Sequence, residues 1–389
     1  MWTDGGGGLG SERTGRLFLS QAFGILFANF ITWLQLCLMS MWMVRVMPLV
    51  VLTLVQYLIA IAFILLARFV NKRLIPPERL FVIYGDYPVE SILNKLKSRP
   101  DRFEVVKTLP LPKGEAGLAA LLESLPQDLK EGRFNSVVLW DLPNQERNDL
   151  LKACYGKGIR VYLMPKITDV IIKGMVPLHI FDTPILMAKE YPLALEERAA
   201  KRAVDVLCSV LLLILASPIM LITAVAIKLY DKGPVIYSQE RITLNGRAFR
   251  IYKFRSMSVT AEKDGVARLA GKNDSRITPI GHFIRAVRID ELPQLVNILK
   301  GDMSFIGPRP ERPELIREYV KEMPEFEFRT RVKAGLAGYA QVYGKYNTTP
   351  YDKLKLDLYY IENYSFWLDL QLMLLTLKIL FTPDATEGV

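Results

Sequence analysis

Histidine and cysteine are scarce in this chain of 389 residues, which contains two histidines and three cysteines. His179 and His282 cannot build a multi-histidine metal site, and a Ser-His-Asp triad would have only these two candidates for its base. Cys37 and Cys208 lie in apolar runs and Cys154 stands alone, so no disulfide framework is indicated. The composition therefore excludes zinc hydrolases and secreted disulfide scaffolds.

Charged residues are also few, at 23%, whereas hydrophobic residues make up 51% of the chain. This balance argues against disorder and predicts membrane segments beside ordinary soluble domains. Lys and Arg total 50 against 40 for Asp and Glu, which gives a net charge of +10. Such an excess favours an anionic partner: a nucleic acid, a phosphorylated substrate or an acidic membrane surface.

The N-terminal region predicts a transmembrane helical hairpin. Residues 1–16 are Gly-rich and polar, are expected to be flexible, and lack the apolar core and cleavage site of a signal peptide. Residues 17–73 contain two apolar stretches, separated by Arg45 and Pro48, each long enough to cross a hydrocarbon core of about 30 Å. Basic residues at both outer ends place those ends in the cytoplasm. A buried hairpin of a soluble protein is the alternative.

Residues 74–195 predict a Rossmann-like α/β domain and a linker. From about residue 80 to 180, short β-branched and aromatic runs alternate with helical patterns, which indicates a parallel sheet with helical crossovers. The loop at residues 84–87, after the first run, lacks the G-x-G-x-x-G sequence that lets a backbone approach a pyrophosphate. We therefore predict a structural or regulatory role for this domain rather than dinucleotide binding.

Residues 196–230 predict a re-entrant membrane helix. The apolar part runs from Val206 to Ile227 and is basic on both flanks, so a full crossing would place one basic flank outside. Ser217-Pro218 lies at its middle, where proline removes a backbone donor and serine can satisfy the freed backbone group. We expect the segment to enter and leave by the same membrane face, with an ordinary kinked crossing as the alternative.

The residues with the clearest chemistry lie within residues 231–389. Asp290 and Glu291 precede Pro293, which marks a first helical turn, so both carboxylates are predicted at a helix N-terminus, where anions are favoured. Mg²⁺ binds one or two carboxylates together with substrate phosphate oxygens, so this pair can hold Mg²⁺ without histidine. An acidic cap on a surface helix is the alternative interpretation.

Four basic residues accompany the acidic pair: Lys253, Arg255, Arg285 and Arg309. The planar guanidinium group suits phosphate oxygens, and several basic groups around one site would neutralise a nucleotide diphosphate. Solvated surface charges or contacts with lipid headgroups would also account for them. Near the C-terminus, an apolar segment too short and too interrupted to span is predicted to lie in the membrane interface, with Trp367 as an anchor.

From about Lys201 to its end, the chain resembles the bacterial monotopic phosphoglycosyl transferases, also called the bacterial sugar transferase family. The matching stretches, in order, are KRAVDVLCSVLLLILASPIMLI, IYKFRSM, GKNDSRITPIGHFIR, Asp290-Glu291-Leu-Pro-Gln-Leu, KGDMSFIGPRP and AGLAGYAQVYGKYN. Several motifs in the same order make the resemblance specific, and Ser217-Pro218 matches the family's re-entrant break. The N-terminal half resembles the larger members, although those commonly carry four N-terminal spans and two are predicted here.

The resemblance implies transfer of a sugar-1-phosphate from a UDP-sugar to polyprenol phosphate, with release of UMP, at the cytoplasmic face of the bacterial cytoplasmic membrane. It implies that Asp290 is the nucleophile and forms an aspartyl phosphosugar intermediate. Glu291, beside Asp290, would hold Mg²⁺, and Arg309 with Arg285 would bind phosphates. Three positions depart from residues frequent in the family and leave the sugar open: Tyr339, Tyr343 and Lys345.

The prediction as a whole is a membrane-associated α/β enzyme that forms a homodimer through its N-terminal half. A non-catalytic membrane scaffold or regulator is the main alternative, and it is disfavoured because Asp290, Glu291 and Arg309 are all present. An ordinary glycosyltransferase is disfavoured because no Asp-x-Asp metal motif occurs in a suitable loop. A nucleic-acid binder would explain the charge alone, whereas a lipid bilayer and polyprenol phosphate explain the charge and the apolar segments together.

Overall fold

The computed structural model describes residues 14–74, 76–190, 193–259, 274, 276–344 and 348–380. The chain divides into two compact units, Met1–Met164 and Pro165–Val389. Most of the N-terminal start predicted to be flexible, and Lys345, lie outside the described residues.

The first unit begins with two antiparallel helices, α1 (Thr14–Ser40) and α2 (Met47–Leu74). Residues Met47–Ala67 are long and apolar enough to cross a membrane, and Gly24–Ser40 is a shorter apolar stretch. Most of their large apolar side chains are exposed. Exposure on this scale disfavours the buried hairpin of a soluble protein, because such a hairpin would place these side chains in a core.

A four-stranded sheet follows, with strand order β2-β1-β3-β4. All three strand pairs are parallel, which confirms the expectation drawn from the alternating pattern. Phe81 and Ile83 face one buried layer and Leu80 and Val82 the other, so β1 is covered on both sides, as is usual for parallel strands. The elements are β1 (Glu78–Tyr84), α3 (Glu90–Lys97), β2 (Phe103–Pro110), α4 (Glu115–Lys130), β3 (Ser136–Trp140), α5 (Asn144–Gly156) and β4 (Arg160–Leu163).

The loops that follow the two central strands are bonded to each other. The Gly85 amide donates to the Trp140 carbonyl at 2.9 Å, and the Tyr87 amide donates to Oδ2 of Asp141 at 3.1 Å. A Cβ atom on Gly85 would lie 2.1 Å from the Asp141 carbonyl oxygen, so this approach requires glycine. The contact occupies the carboxyl edge of the sheet, where ligands of open α/β sheets commonly bind.

The second unit begins before the boundary predicted at 195/196. It opens with α6 (Ile167–Gly174) and an antiparallel hairpin of β5 (Val176–Ile180) and β6 (Thr183–Met187). Ile167 and Val170 lie in the same buried core as Leu295 on a later helix. The predicted boundary therefore falls inside this unit, because the apolar face of α6 packs into its core.

The next helix, α7 (Leu195–Asp231), has 37 residues and continues through Pro218. It is long and apolar enough to cross a membrane. Arg202 near its start donates to the carbonyls of Ile298 and Leu299, at 2.6 and 2.7 Å. Ile227 near its end is buried against Phe254 and Ile284. Both ends of α7 therefore contact the same folded unit.

The remaining elements enclose the core of the second unit. Strands β7 and β8 form an antiparallel hairpin, and β9 pairs in parallel with β10. Apolar side chains from β8, β9, β10 and three of the helices fill the interior between them. In chain order these elements are β7 (Ile236–Ile242), β8 (Ala248–Phe254), α8 (Pro279–Ala286), α9 (Gln294–Lys300), β9 (Met303–Ile306), α10 (Pro313–Glu322), β10 (Ala334–Ala337), α11 (Tyr339–Tyr343), α12 (Pro350–Glu362) and α13 (Phe366–Leu380).

Candidate active site

Asp290 and Glu291 lie on a short 3-10 turn, Ile289–Glu291, that connects α8 to α9. Helix α9 starts at Gln294 with Pro293 as its cap, so the carboxylates precede the helix by one turn instead of occupying its first turn. Arg288, just before the turn, has a left-handed backbone with φ of 60°. A non-glycine residue in this region costs about 1–3 kcal/mol, and such strained residues are enriched at functional sites.

Glu291 is held by two cations. Nζ of Lys253 donates to Oε1 of Glu291 at 2.7 Å, and Nη2 of Arg309 donates to the same oxygen at 3.2 Å. Burial opposes ionisation, but the charges of Lys253 and Arg309 outweigh it and keep the pKa of Glu291 well below its ordinary value. Within the described part of the chain, the second carboxylate oxygen accepts no hydrogen bond.

Asp290 has a contrasting environment. It is only 7% exposed, and no hydrogen bond reaches its carboxylate from any described residue. Burial raises the pKa of Asp290, the charge of Lys253 opposes the shift, and the charge of Glu291 adds to it. The site thus pairs one carboxylate fixed by cations with one that is buried and free of partners.

Buried polar contacts hold Lys253 at this site. Strand β8 carries Lys253, and Asn297 on α9 is fully buried beside that strand. The Tyr252 amide donates to Oδ1 of Asn297 at 3.0 Å, and Nδ2 of Asn297 donates to the Arg250 carbonyl at 2.7 Å. These bonds fix the strand to the helix that follows Glu291, which places Lys253 within reach of that carboxylate.

The Gly-Pro-Arg-Pro segment that carries Arg309 follows β9 directly. The Gly307 amide donates to the Ala337 carbonyl at 2.9 Å, and the Gly335 amide donates to the Pro308 carbonyl at 2.9 Å. A Cβ atom on Gly335 would lie 2.1 Å from the Gly307 nitrogen, so the two backbones approach closely. This contact with β10 directs the segment, and with it Arg309, back toward Glu291.

The other two predicted basic residues are placed differently. Arg255 is buried and binds Asp231 at the end of α7. Arg285 lies in the last turn of α8, and its charge opposes the rise in the pKa of Asp290 that burial causes. Among the described residues, Nε and Nη1 of Arg255 and Nη1 of Arg285 are buried without a hydrogen-bond partner. Lys253 and Arg309 thus contact the acidic pair, whereas Arg255 does not.

Ser217 and Pro218 lie on α7, outside this cluster. The Ser217 hydroxyl donates to the Ile214 carbonyl at 2.8 Å, and this carbonyl is the one that the missing N–H of Pro218 would have bonded. Large apolar side chains around this position, including Leu215 and Ile219, are exposed. The proline thus leaves no unpaired acceptor in an otherwise apolar surface.

Three contributing residues were missed by sequence reasoning. The charge of Arg288 favours the ionised form of both carboxylates: it opposes the rise in the pKa of Asp290 and adds to the fall in the pKa of Glu291. Its position two residues before Asp290 could have indicated it. Asp231 binds Arg255, and Asn297 joins β8 to α9. The last two carry no sequence signal, because their importance comes from partners more than 20 residues away.

A divalent cation is compatible with the donors at this site. Among the described residues, no group of three or more His, Cys, Asp and Glu side chains could hold a metal. Mg²⁺ requires fewer protein ligands, because it commonly keeps water and binds substrate phosphate. The carboxylate of Asp290 and the second oxygen of Glu291 are free to serve, so the pair fits Mg²⁺ bound together with a phosphorylated substrate.

Comparison with known proteins agrees with this arrangement. Residues 196–383 match the model of the family described as bacterial sugar transferase. Over 330 residues, the chain is 33% identical to the UDP-N-acetylgalactosamine-undecaprenyl-phosphate N-acetylgalactosaminephosphotransferase of Aeromonas hydrophila, covering 84% of this chain and 72% of that protein. Over 321 residues, it is 31% identical to the UDP-glucose:undecaprenyl-phosphate glucose-1-phosphate transferase of Escherichia coli K12, covering 77% and 67%.

A third relative has a shorter match. The chain is 37% identical over 202 residues to the undecaprenyl-phosphate galactose phosphotransferase of Salmonella typhimurium, covering 48% of this chain and 41% of that protein. The chain belongs to the bacterial sugar transferase family, which confirms the resemblance drawn from its motifs. With its apolar helices, it is a membrane-associated α/β transferase of the phosphotransferase type.

Proposed function

We propose that the protein transfers a sugar-1-phosphate from a UDP-sugar to polyprenol phosphate and releases UMP, the first membrane step in building a bacterial polysaccharide or glycoconjugate. The observation that carries this proposal is the contrast between the two carboxylates: Asp290 is buried without a partner, and Glu291 beside it is held by Lys253 and Arg309. A nucleophile must be free to attack, whereas a binding group must be fixed.

In the first step, a carboxylate oxygen of Asp290 attacks the β-phosphorus of the UDP-sugar. A bond forms between that oxygen and phosphorus, and the bond from the β-phosphorus to the bridging oxygen breaks. UMP leaves with the bridging oxygen and the electron pair, and an aspartyl phosphosugar remains. Burial raises the pKa of Asp290, which also makes its ionised form a better nucleophile.

In the second step, an oxygen of polyprenol phosphate attacks the same phosphorus, and the bond to Asp290 breaks. The carboxylate is regenerated, and the product is a polyprenyl diphosphate sugar. Because UMP leaves before the lipid phosphate reacts, the two phosphates can use one pocket in turn. Donor and product each contain one phosphoanhydride bond, so the reaction lies near equilibrium and added UMP reverses it.

Neutralisation of the diphosphate supports the attack by an anionic carboxylate. Asp290 and Glu291 would hold Mg²⁺, which would polarise phosphate oxygens and offset their charge. Arg309 and Arg285 would bind phosphate oxygens directly. The buried donors of Arg285 and Arg255 without partners support this role, because unpaired buried N–H groups are costly until a ligand satisfies them.

The membrane topology is part of the proposal. A straight helix of 37 residues is about 55 Å long, enough to pass through a bilayer and beyond. Both ends of α7 nevertheless contact the same unit, at Arg202 and at Ile227, which supports entry and exit by one membrane face. We place the second unit at the cytoplasmic face of the inner membrane, with α1 and α2 as a transmembrane hairpin.

Two further parts of the proposal concern the N-terminal half. The parallel sheet with order β2-β1-β3-β4 supports a Rossmann-like domain with a structural or regulatory role. We propose a homodimer because this half offers additional surface and has no evident catalytic role in the sequence. Light scattering of the protein in nanodiscs tests the dimer, and one chain per particle would contradict it.

The function is tested with purified protein, Mg²⁺ and UDP-sugars labelled with ³²P at the β-phosphate. The relatives are named for N-acetylgalactosamine, glucose and galactose, so these three donors come first. Without lipid, we expect stoichiometric UMP release and label on a peptide that contains Asp290. With polyprenol phosphate added, the label moves to the lipid.

The Asp290→Asn variant is the matched control, because it retains size and removes the nucleophile. UMP release that requires lipid and leaves no label on protein would replace the covalent route with direct attack by the lipid phosphate. No UMP release from any UDP-sugar, with or without lipid, would favour the scaffold alternative.

A further inference from the structure

The segment that carries Arg309 depends on other elements for its backbone hydrogen bonds. Pro308 and Pro310 have no N–H group, so the segment cannot form a regular ladder of its own. Four successive carbonyls nevertheless accept bonds from outside it: Pro308 from the Gly335 amide at 2.9 Å, Arg309 from Nη2 of Arg329 at 3.0 Å, Pro310 from Nη1 of Arg241 at 3.4 Å, and Glu311 from the Ile242 amide at 3.1 Å.

The donor to the Arg309 carbonyl belongs to a deeply buried ion pair. Arg329 is 3% exposed and Asp357 is 1% exposed. Nη2 of Arg329 donates both to Oδ2 of Asp357, at 2.7 Å, and to the Arg309 carbonyl. Asp357 lies on α12 between Leu354 and Leu358, both buried in the core. The carboxylate is therefore fixed by packing, and it fixes the guanidinium in turn.

A second ion pair balances the charge around Arg329. Oε1 of Glu311, one residue after Pro310, lies 3.6 Å from Nη1 of Arg329. Lys353 on α12 binds the same carboxylate. Two cations and two anions thus join α12 to Glu311, the residue that follows the Gly-Pro-Arg-Pro segment. Because the desolvation of buried charges offsets much of their attraction, such pairs are weak evidence for net stability, and we assign them a role in fixing geometry.

We propose that Arg329, held by Asp357, is a positioning residue that acts through Arg309. It fixes the carbonyl of Arg309 and so sets where the guanidinium of Arg309 meets Glu291 and the donor phosphate. Among the described residues, Arg329 forms no hydrogen bond or ion pair with Asp290 or Glu291, so we expect its effect to pass through Arg309. This inference rests on the proposed function of the site.

The chain offers a matched control in the same 3-10 segment, Pro324–Arg331. Arg331 also donates to backbone carbonyls, those of Lys189 and Glu190, and pairs with Glu362. Among the described residues, none of these partners forms a hydrogen bond or ion pair with Arg309. Arg331→Lys therefore measures how much activity is lost when an arginine of this segment bonds its carbonyls less well. It leaves the proposed coupling between Arg329 and Arg309 unchanged.

The kinetic test compares Arg329→Lys with Arg331→Lys in UMP release from the UDP-sugar. Lysine preserves the charge beside Asp357 but lacks the planar fork that bonds the carboxylate and the carbonyl together. We expect kcat/KM to fall roughly 10- to 100-fold for Arg329→Lys, because small displacements of a binding group have effects of this size. Arg331→Lys stays within about twofold of wild type.

A double-mutant cycle separates positioning from a general structural role. In an Arg309→Lys background, Arg329→Lys should cost less than about twofold, because the residue through which it acts is already altered. The same fold-loss in both backgrounds overturns the inference while leaving the proposed function intact. A wild type that releases no UMP overturns both.

A second variant extends the kinetic test, and hydrogen exchange adds a measurement that is independent of activity. Asp357→Asn retains an acceptor for Arg329, so its loss of kcat/KM should be smaller than that of Arg329→Lys. This loss should also shrink in the Arg309→Lys background. Hydrogen exchange at the amides of Gly307, Arg309 and Glu311 should be faster in Arg329→Lys than in Arg331→Lys. Equal exchange in the two folded variants contradicts the inference.

Discussion

The hydroxyl of Ser217 donates to the carbonyl of Ile214, the acceptor that Pro218 leaves unpaired. This bond, at 2.8 Å, gives the Ile214 carbonyl a donor at the centre of the apolar stretch of α7. An unpaired carbonyl is costly where no water can reach it. The relationship makes the Ser-Pro pair tolerable inside a membrane and predicts coupling between the two positions.

Ser217→Ala should destabilise the protein by about 1 kcal/mol, because the Ile214 carbonyl loses its donor. In a Pro218→Ala background the same change should cost less than about half as much, since the new amide at position 218 bonds Ile214 directly. Thermal unfolding in detergent micelles measures both values. An equal loss of stability in the two backgrounds would mean that Ser217 does not substitute for the missing amide of Pro218.

Cysteine labelling tests the topology of α7. With the native cysteines replaced by alanine, Leu195→Cys, at a position 81% exposed, and Lys232→Cys mark the two ends of the helix. Both should react only with reagent on the cytoplasmic side, because both ends contact one unit. Trp42→Cys, in the turn between α1 and α2, should react only from outside. Reaction of the two α7 sites from opposite sides would establish a crossing instead.

Asp290→Asn should abolish transfer, with a loss of roughly 1,000-fold or more, and should leave the fold intact. Burial raises the pKa of Asp290 above its ordinary value of 3.8, so the ionised carboxylate destabilises the fold. That cost appears as the pH rises through 3.8 and is complete above the raised pKa. The variant should therefore melt no lower than wild type at pH 7, and a clearly lower melting temperature would contradict the proposed environment of Asp290.

The acidic pair and its two cationic partners were predictable because short motifs carry them. Asp290, Glu291, Lys253 and Arg309 come from three separate motifs, and the structure brings them together. The parallel sheet also followed from the pattern, since buried parallel strands read as short apolar runs.

Other features depend on contacts that span long stretches of chain. Arg329, which is paired with Asp357, bonds the backbone carbonyl of Arg309. Every residue has such a carbonyl, so the sequence at position 309 does not reveal the bond. The extent of the second unit depends on such contacts too, because the amphipathic face of α6 does not reveal which core it joins. The pairing of Arg255 with Asp231 was not predictable either, because the two residues lie 24 positions apart and no motif links them.

Glu291→Gln should weaken the dependence on Mg²⁺ and reduce stability in a pH-dependent way. Lys253 and Arg309 lower the pKa of Glu291 below its ordinary value of 4.5, so the carboxylate stabilises the fold above pH 4.5. We expect the variant to be about 1–3 kcal/mol less stable at pH 7, because two charge-assisted bonds are lost. The difference should shrink as the pH falls below 4.5.

Parallel Mg²⁺ titrations and unfolding curves of wild type and variant check these two effects separately. A metal titration identical to that of wild type would refute Glu291 as a ligand for Mg²⁺. A stability difference that stays constant between pH 7 and pH 3 would refute its ion pairs.

A polar contact centred on the buried Asn29 joins the helices of the α1–α2 hairpin, and its loss should be measurable. Nδ2 of Asn29 donates to Oγ1 of Thr53 at 2.8 Å and to Oε1 of Gln56 at 2.7 Å. Polar bonds between membrane helices contribute about 0.6–1.7 kcal/mol, so Asn29→Ala should increase local opening of the hairpin roughly three- to twentyfold. Cys37 reports that opening, because its sulfur accepts a bond from the Val44 amide at 3.4 Å.

The rate of Cys37 alkylation, measured with Cys154 and Cys208 replaced by alanine, should therefore rise in Asn29→Ala. Thr32→Ala is the matched control: its hydroxyl bonds only the Ala28 carbonyl of its own helix among the described residues. Removing that bond leaves the contact between the helices unchanged, so the alkylation rate should stay near that of wild type. Equal acceleration in the two variants would mean that Asn29 does not hold the helices together.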